Sequence, residues 1–186
     1  MLRGEADGVV MGGGAKDQEP AAPSRLSWSS GSGNVAGRRA PDNPVPAFEI
    51  LEHPADVGFR VRGLTLAALF ENAALAMLSI AGEPERVESR EEFALGATAG
   101  DLEALLVNWL NEVLWWSDGK QIAFREFHVQ EMAHEPDNVR IAAIGTGEPR
   151  DLARHRAKLI IKGVTYHQLK LVETLDSWVA EVFLDV

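Results

Sequence analysis

Two short stretches hold the side chains of this sequence best suited to gripping a cation. In His53-Pro54-Ala55-Asp56-Val57-Gly58, a carboxylate sits in the tight connection between two short strand candidates. At the chain end, Asp185-Val186 sets a side-chain carboxylate beside a terminal one. Adjacent negative charges repel unless water solvates them or a cation bridges them. If Asp56 approached that end, the carboxylates of Asp56, Asp185 and Val186 would form an all-oxygen site. Ca²⁺ or Mg²⁺ takes such a site, with waters and carbonyls completing the shell. A plainer reading has Asp56 capping a turn, His53 partly buried and the chain end wet. Spacing alone does not choose between them.

Other chemistries find little support. There is no Cys, which removes disulfides, thiolate zinc sites and cysteine nucleophiles. The five His, at 53, 128, 134, 155 and 167, include no pair four apart that would make a zinc-binding helix face. No Ser sits in a Gly-x-Ser-x-Gly elbow, and Gly145-Thr146-Gly147 is a lone two-glycine turn. His155, between Arg154 and Arg156, reads as a solvated loop residue. Trp109, Trp115 and Trp116 lie in an amphipathic helical stretch and read as core or partner-facing residues.

Charge narrows the partners. Residues 1–46 carry five basic and five acidic side chains, so the net charge of −10 belongs wholly to residues 47–186. Phosphate backbones would repel such a surface, and it has no basic stripe, so direct nucleic-acid binding is not expected. The longest apolar stretch, Leu64 to Ala81, is broken by Glu71 and Asn72 and reads as a helix of a soluble fold, with no membrane span expected. The N-terminus lacks the apolar core of a secretory signal. Together with the missing cysteines, this suggests the cytoplasm.

The elements that must position these residues follow from patterning. Residues 1–46 hold 8 of the 17 Gly and 5 of the 9 Pro, with few large apolar side chains to offset the entropy of ordering. They read as a disordered tail or an over-extended start, leaving 47–186 as the domain. Phe48–Leu51 is a strand candidate, and Val57, Phe59 and Val61 alternate with small or charged residues as in a half-buried strand. Thr65 caps a helix whose apolar stripe runs from Leu66 to Ile80, stopped by Gly82 and Pro84. Phe93, Leu95 and Ala97 suggest a strand. Asp101 then caps a second helix that ends near Ser117-Asp118-Gly119. Strand segments follow at Phe127–Met132, Val139–Ile144, Lys158–Thr165, Leu169–Thr174 and Trp178–Leu184. The order, ββαβα and then about five strands, predicts an α+β fold with both helices on one face of a largely antiparallel sheet.

Five of these stretches together resemble the archease family. His53-Pro-Ala-Asp-Val-Gly58 is similar to its opening motif, usually His-Thr-Ala-Asp-Ile-Gly. Leu69–Met77 and Leu105–Leu114 resemble its two helices. Lys162-Gly-Val-Thr-Tyr-His167 resembles Lys-Ala-Val-Thr-Tyr-His, and Trp178–Val186 resembles a terminus ending in Asp and an aliphatic residue. The departures are Pro54 for Thr, Gly163 for Ala, and the long N-terminal stretch. Pro54 removes a hydroxyl and a backbone donor beside Asp56.

The resemblance implies a non-enzymatic accessory protein of an RtcB-type RNA ligase, which joins RNA ends in tRNA splicing and RNA repair using GTP and a metal. It implies that the protein promotes guanylylation of the ligase's active-site histidine and so supports multiple turnover. It also implies a metal site at Asp56, Asp185 and the carboxylate of Val186, holding Ca²⁺ or another divalent cation such as Mg²⁺, with Lys162 on the functional surface. The alternative is a small metal-dependent hydrolase or transferase, in which a metal with open positions would activate water.

Overall fold

The structure, a computed structural model, describes residues 48–52, 57–136 and 138–186. The expected tail, His53 and Asp56 lie outside the described residues. Strand β1 (Phe48–Glu52) pairs antiparallel with β2 (Val57–Gly63), which leads into helix α1 (Leu66–Ala81). Strand β3 (Glu91–Ala99) and helix α2 (Leu102–Leu114) follow, then β4 (Ile122–Glu135), β5 (Asn138–Pro149), β6 (Gly163–Glu173) and β7 (Trp178–Asp185).

The fold is α+β and its strand pairings are antiparallel, but the strands form two sheets rather than one, ordered β1-β2-β7-β6 and β3-β5-β4. The segments expected at 158–165 and 169–174 belong to a single strand, β6. Its register slips between Thr165 and Lys170, where Gln168 adopts a positive φ of 53°. That local bulge shifts the alternation of apolar residues, which makes one strand read as two. Residues 158–162 precede the strand.

Both helices begin where their caps predict. Thr65 Oγ1 accepts from the Ala68 amide at 3.1 Å, and Asp101 Oδ1 accepts from the Ala104 amide at 2.7 Å. Each helix packs against strands of both sheets, α1 on β2 and β4, α2 on β3 and β6. The core between them holds Phe59, Phe70, Leu105 and Trp109, all fully buried. Each such side chain contributes about 1.5–3 kcal/mol relative to exposure. The Trp109 indole N–H donates to the Phe70 carbonyl at 3.0 Å, so its polar edge is satisfied inside the core. Trp116 is half-buried and donates to Glu112 Oε1 at 2.9 Å, while Trp115 is exposed beneath Lys120 Nζ.

Of the side-chain amides that fasten the helices to strand ends, two tie them to β2 and β6. Asn72 Nδ2 donates to the Arg62 carbonyl at 2.7 Å. Asn111 uses both ends, accepting from the Val164 amide at 3.0 Å and donating to the Val107 carbonyl at 3.0 Å. The second tie fixes the start of β6 on α2.

Gly63 ends β2 where α1 crosses it. A Cβ there would lie 2.2 Å from the Leu69 amide nitrogen, which is backbone and cannot swing aside. A Cβ at Gly163 would meet Asn111 Oδ1 at an ordinary 3.8 Å. Gly63→Ala is therefore expected to destabilise the fold by about 1–3 kcal/mol or more, and Gly163→Ala by less than about 0.5 kcal/mol. Urea unfolding midpoints of the two variants check this, and equal midpoints would contradict it.

Candidate metal centre at the end of the last strand

Strand β7 lies between β2 and β6 and hydrogen-bonds to both. Its inward residues Ala180, Val182 and Leu184 are buried in the core, where β7 meets α1. Val57 pairs with Leu184, and Gly163 pairs with Asp185, so β2 starts, β6 starts and β7 ends at one corner of the sheet. The Asp185 side chain is exposed there, while Val186 is half-buried and packs against the edge of the core.

Lys162 closes this corner from the other side. Its amide donates to the Asp185 carbonyl at 2.8 Å, and its ammonium donates to the Val186 main-chain oxygen at 2.8 Å. The structure thus brings together Asp185, Val186 and Lys162, three of the residues singled out in the sequence. Asp56 and His53 fall outside the described residues. Among the described residues, no group of three or more His, Asp or Glu is arranged to hold a metal ion. The donors at the corner are hard oxygens, and the exposed Asp185 carboxylate is open to a cation. The chemistry fits Ca²⁺ or Mg²⁺ better than a softer metal. Gly163 leaves room for the alanine of the family motif, so that departure leaves the corner intact.

Two strand neighbours of the corner carry marks of close packing and charge. A Cβ at Gly58 would come within 2.8 Å of the Phe183 ring, so only glycine lets that ring lie across β2. Two residues further along, Glu49, Arg60, Glu181 and Lys170 stand side by side across all four strands. Arg60 Nη2 lies 2.7 Å from Glu181, and Lys170 Nζ lies 2.8 Å from it. The Lys170 and Arg60 donors hold the Glu181 carboxyl below its ordinary pKa.

A second polar cluster escaped the sequence reading. Glu148, at the end of β5, is 1% exposed. Its carboxylate accepts from the Glu88 amide at 2.9 Å and from Arg154 Nη2 at 2.5 Å, with Arg90 Nε 3.3 Å away. These donors, the Glu88 amide first, pull its pKa down to about 2. His155 is not a solvated loop residue. It is 9% exposed, its Nδ1 accepts from the Asp151 amide at 3.0 Å, and its Nε2 lies 3.2 Å from Glu148 Oε1. The buried carboxylate draws the loop's cationic residues inward, which overrides the outward tendency of the Arg-His-Arg run. The sequence carried no signal for this, because the alternation of β5 buries Val139, Ile141 and Ala143 and puts Glu148 on the outward phase. The cluster anchors the head of the 150–162 connection, whose tail delivers Lys162 to the corner.

Comparison with known proteins agrees with the resemblance. The Archease protein family model matches residues 48–186. The archease of Methanosarcina mazei is 39% identical over 139 residues, covering 75% of this chain and 95% of that protein. The archease of Methanosarcina acetivorans is 40% identical over the same length and shares. The solution structure of Methanobacterium thermoautotrophicum protein 1598 superposes with a TM-score of 0.65 at 29% identity, covering 76% of this chain and all of that one.

The Glu148 cluster predicts a pH dependence. A carboxyl depressed from 4.5 to about 2 stabilises the fold above its unfolded pKa and loses that contribution as pH falls toward 2. Glu148→Gln is expected to lower the melting temperature at neutral pH and to flatten its fall on acidification. Thermal scans at stepped pH measure both effects, and an unchanged acid slope in the variant would contradict the assignment.

Proposed function

Because the chain belongs to the archease family, we propose that it is an accessory protein that activates an RtcB-type RNA ligase and is not itself an enzyme. It promotes guanylylation of the ligase and so sustains repeated turnover in tRNA splicing or RNA repair. The observation that carries this reading is the register that gathers the start of β2, the end of β7 and the start of β6 at one corner. Asp56 directly precedes Val57 in the sequence, and Val57 pairs with Leu184, the residue before Asp185. Asp56, Asp185 and the terminal carboxylate of Val186 would hold a divalent cation, Ca²⁺ or Mg²⁺, which would supply charge neutralisation and rigid positioning of the corner. Lys162 orients the terminal carboxylate by donating to one of its oxygens.

The charge supports a protein partner over RNA. Residues 47–186 carry the whole net charge of −10, which repels a phosphate backbone and complements a basic protein surface. Among the described residues no helix is long and apolar enough to cross a membrane. A cytoplasmic site of action, alongside the ligase, belongs to the same proposal.

Two measurements test it. In a ligation time course with the ligase limiting, added protein is expected to raise turnover, and Asp185→Ala is expected to abolish the effect while the domain stays folded. Superimposed courses with and without the protein would reject the function, and hydrolysis or ligation by the protein alone would favour an enzyme. Separately, Ca²⁺ at a hundredfold excess over its Kd should stabilise the fold by about 2.7 kcal/mol. Asp56→Asn and Asp185→Asn should each remove most of that gain. A gain retained in both would put the cation elsewhere.

A further inference from the structure

Strand β7 runs from the corner at Asp185 back to Trp178, where a second concave surface opens. It is a wide crevice of about 470 Å³ between the start of α2, the tip of the β4–β5 hairpin and the adjoining ends of β6 and β7. Seven residue steps of about 3.3 Å set it roughly 23 Å from the corner. Its volume corresponds to roughly fifteen waters, far more than the shell of a single ion.

The walls are of two kinds. Leu102, Leu171 and Trp178 are each half-buried and leave apolar surface in the crevice. Around them stand three exposed carboxylates, Asp101, Glu103 and Glu135, and among the described residues no Lys or Arg lines the space. Asp101 commits one oxygen to the Ala104 amide, and Glu135 shares Arg140, at 3.6 Å, with Glu131. The Glu103 carboxylate and the Trp178 indole N–H have no partner among the described residues.

The turn that joins the two lining strands carries Leu175, which is fully exposed. That turn is well tied. The Thr174 amide and hydroxyl both donate to the Ser177 carbonyl at 2.8 Å, and the Ser177 amide donates back to Thr174 Oγ1 at 3.1 Å. A leucine held outward by so many hydrogen bonds offers a fixed apolar contact beside the acidic crevice.

The lining selects its occupant by charge and by shape. A bare divalent cation would use the carboxylates and leave Leu102, Leu171 and Trp178 wet. A polyamine would leave Leu175 without a contact. An arginine side chain matches both walls, because its stem covers apolar surface while its guanidinium stacks on an aromatic face and pairs with carboxylates. A polypeptide carrying that arginine also supplies an apolar neighbour for Leu175.

We propose that this crevice is a docking site for an arginine-bearing segment of a protein partner. The guanidinium meets Glu103 and Glu135, and the stem lies on Trp178 and Leu171. The site gives the partner of the accessory-protein reading a second contact, and it rests on that reading for the partner's identity alone.

N-acetylarginine amide is the probe, with N-acetylcitrulline amide, spermidine and Ca²⁺ as comparisons, followed by amide and indole N–H chemical shifts of the full chain. Saturable shifts are expected with the arginine amide at the Trp178 indole and at Glu103 and Glu135, with much weaker binding of the uncharged citrulline amide. Glu103→Gln combined with Glu135→Gln is expected to weaken the arginine amide about tenfold, while resonances at the Asp185 corner stay in place. No saturable shift at Trp178, equal binding of the citrulline amide, or tighter binding of spermidine or Ca²⁺ in the crevice would overturn the proposal. With an RtcB-type ligase, the same double variant is expected to need several-fold more protein for half-maximal stimulation and to reach the same maximum. An unchanged half-maximal concentration would also overturn the docking site. No stimulation by the unaltered protein would reject the accessory reading instead, and the arginine amide shifts would then decide the crevice by themselves.

Discussion

The structure depends most on the threading of β7 between β2 and β6. A strand that hydrogen-bonds on both edges and buries Ala180, Val182 and Leu184 in the core cannot slip by one residue without turning those side chains outward. Fixing that register also fixes where the strand stops. Asp185 and Val186 lie where they do because Leu184 must face the core opposite Val57. The Lys162 ammonium, 2.8 Å from the Val186 main-chain oxygen, ties that end to the start of β6.

The other elements serve that corner at a distance. Helix α2 pins the first residues of β6 through Asn111, and β6 pins the far side of β7. The connection into β6 is anchored at its head by buried Glu148 with Arg154 and His155, and further along by the Lys158 amide on the Ala81 carbonyl at 2.8 Å. A buried carboxylate without partners would destabilise the fold. With an amide and two guanidinium groups around it, the same charge gives the loop one preferred seat. Rigid placement of Lys162 follows from anchors on both sides of it.

Much of this was legible in the residues because it rests on local rules. Thr65 and Asp101 announce their helices by capping chemistry, and the alternation from Val57 to Val61 announces a strand buried on one face. The separation into two sheets was not legible, because pairing between distant strands leaves no local trace. The unity of β6 was hidden by a bulge at Gln168 that breaks the alternation. His155 was misjudged for a similar reason. Its neighbours in sequence are exposed or half-exposed arginines, but its neighbour in space is the carboxylate of Glu148. The proposed metal corner stands between these cases. The residue types at 185 and 186 were visible, and the resemblance grouped them with Asp56. Only the register of three strands supplies a physical reason for the start of β2 to lie beside the end of β7.

A divalent cation at the end of β7 is proposed, not observed, and it can be sought directly. The most direct measurement is a crystal structure grown with Mn²⁺, a hard-oxygen stand-in for Ca²⁺ or Mg²⁺ visible by its anomalous scattering. The account predicts an anomalous peak within coordination distance of the Asp185 carboxylate, shared with Asp56 and the carboxylate of Val186. A fully occupied peak elsewhere, or none at that corner in well-ordered crystals, would contradict it.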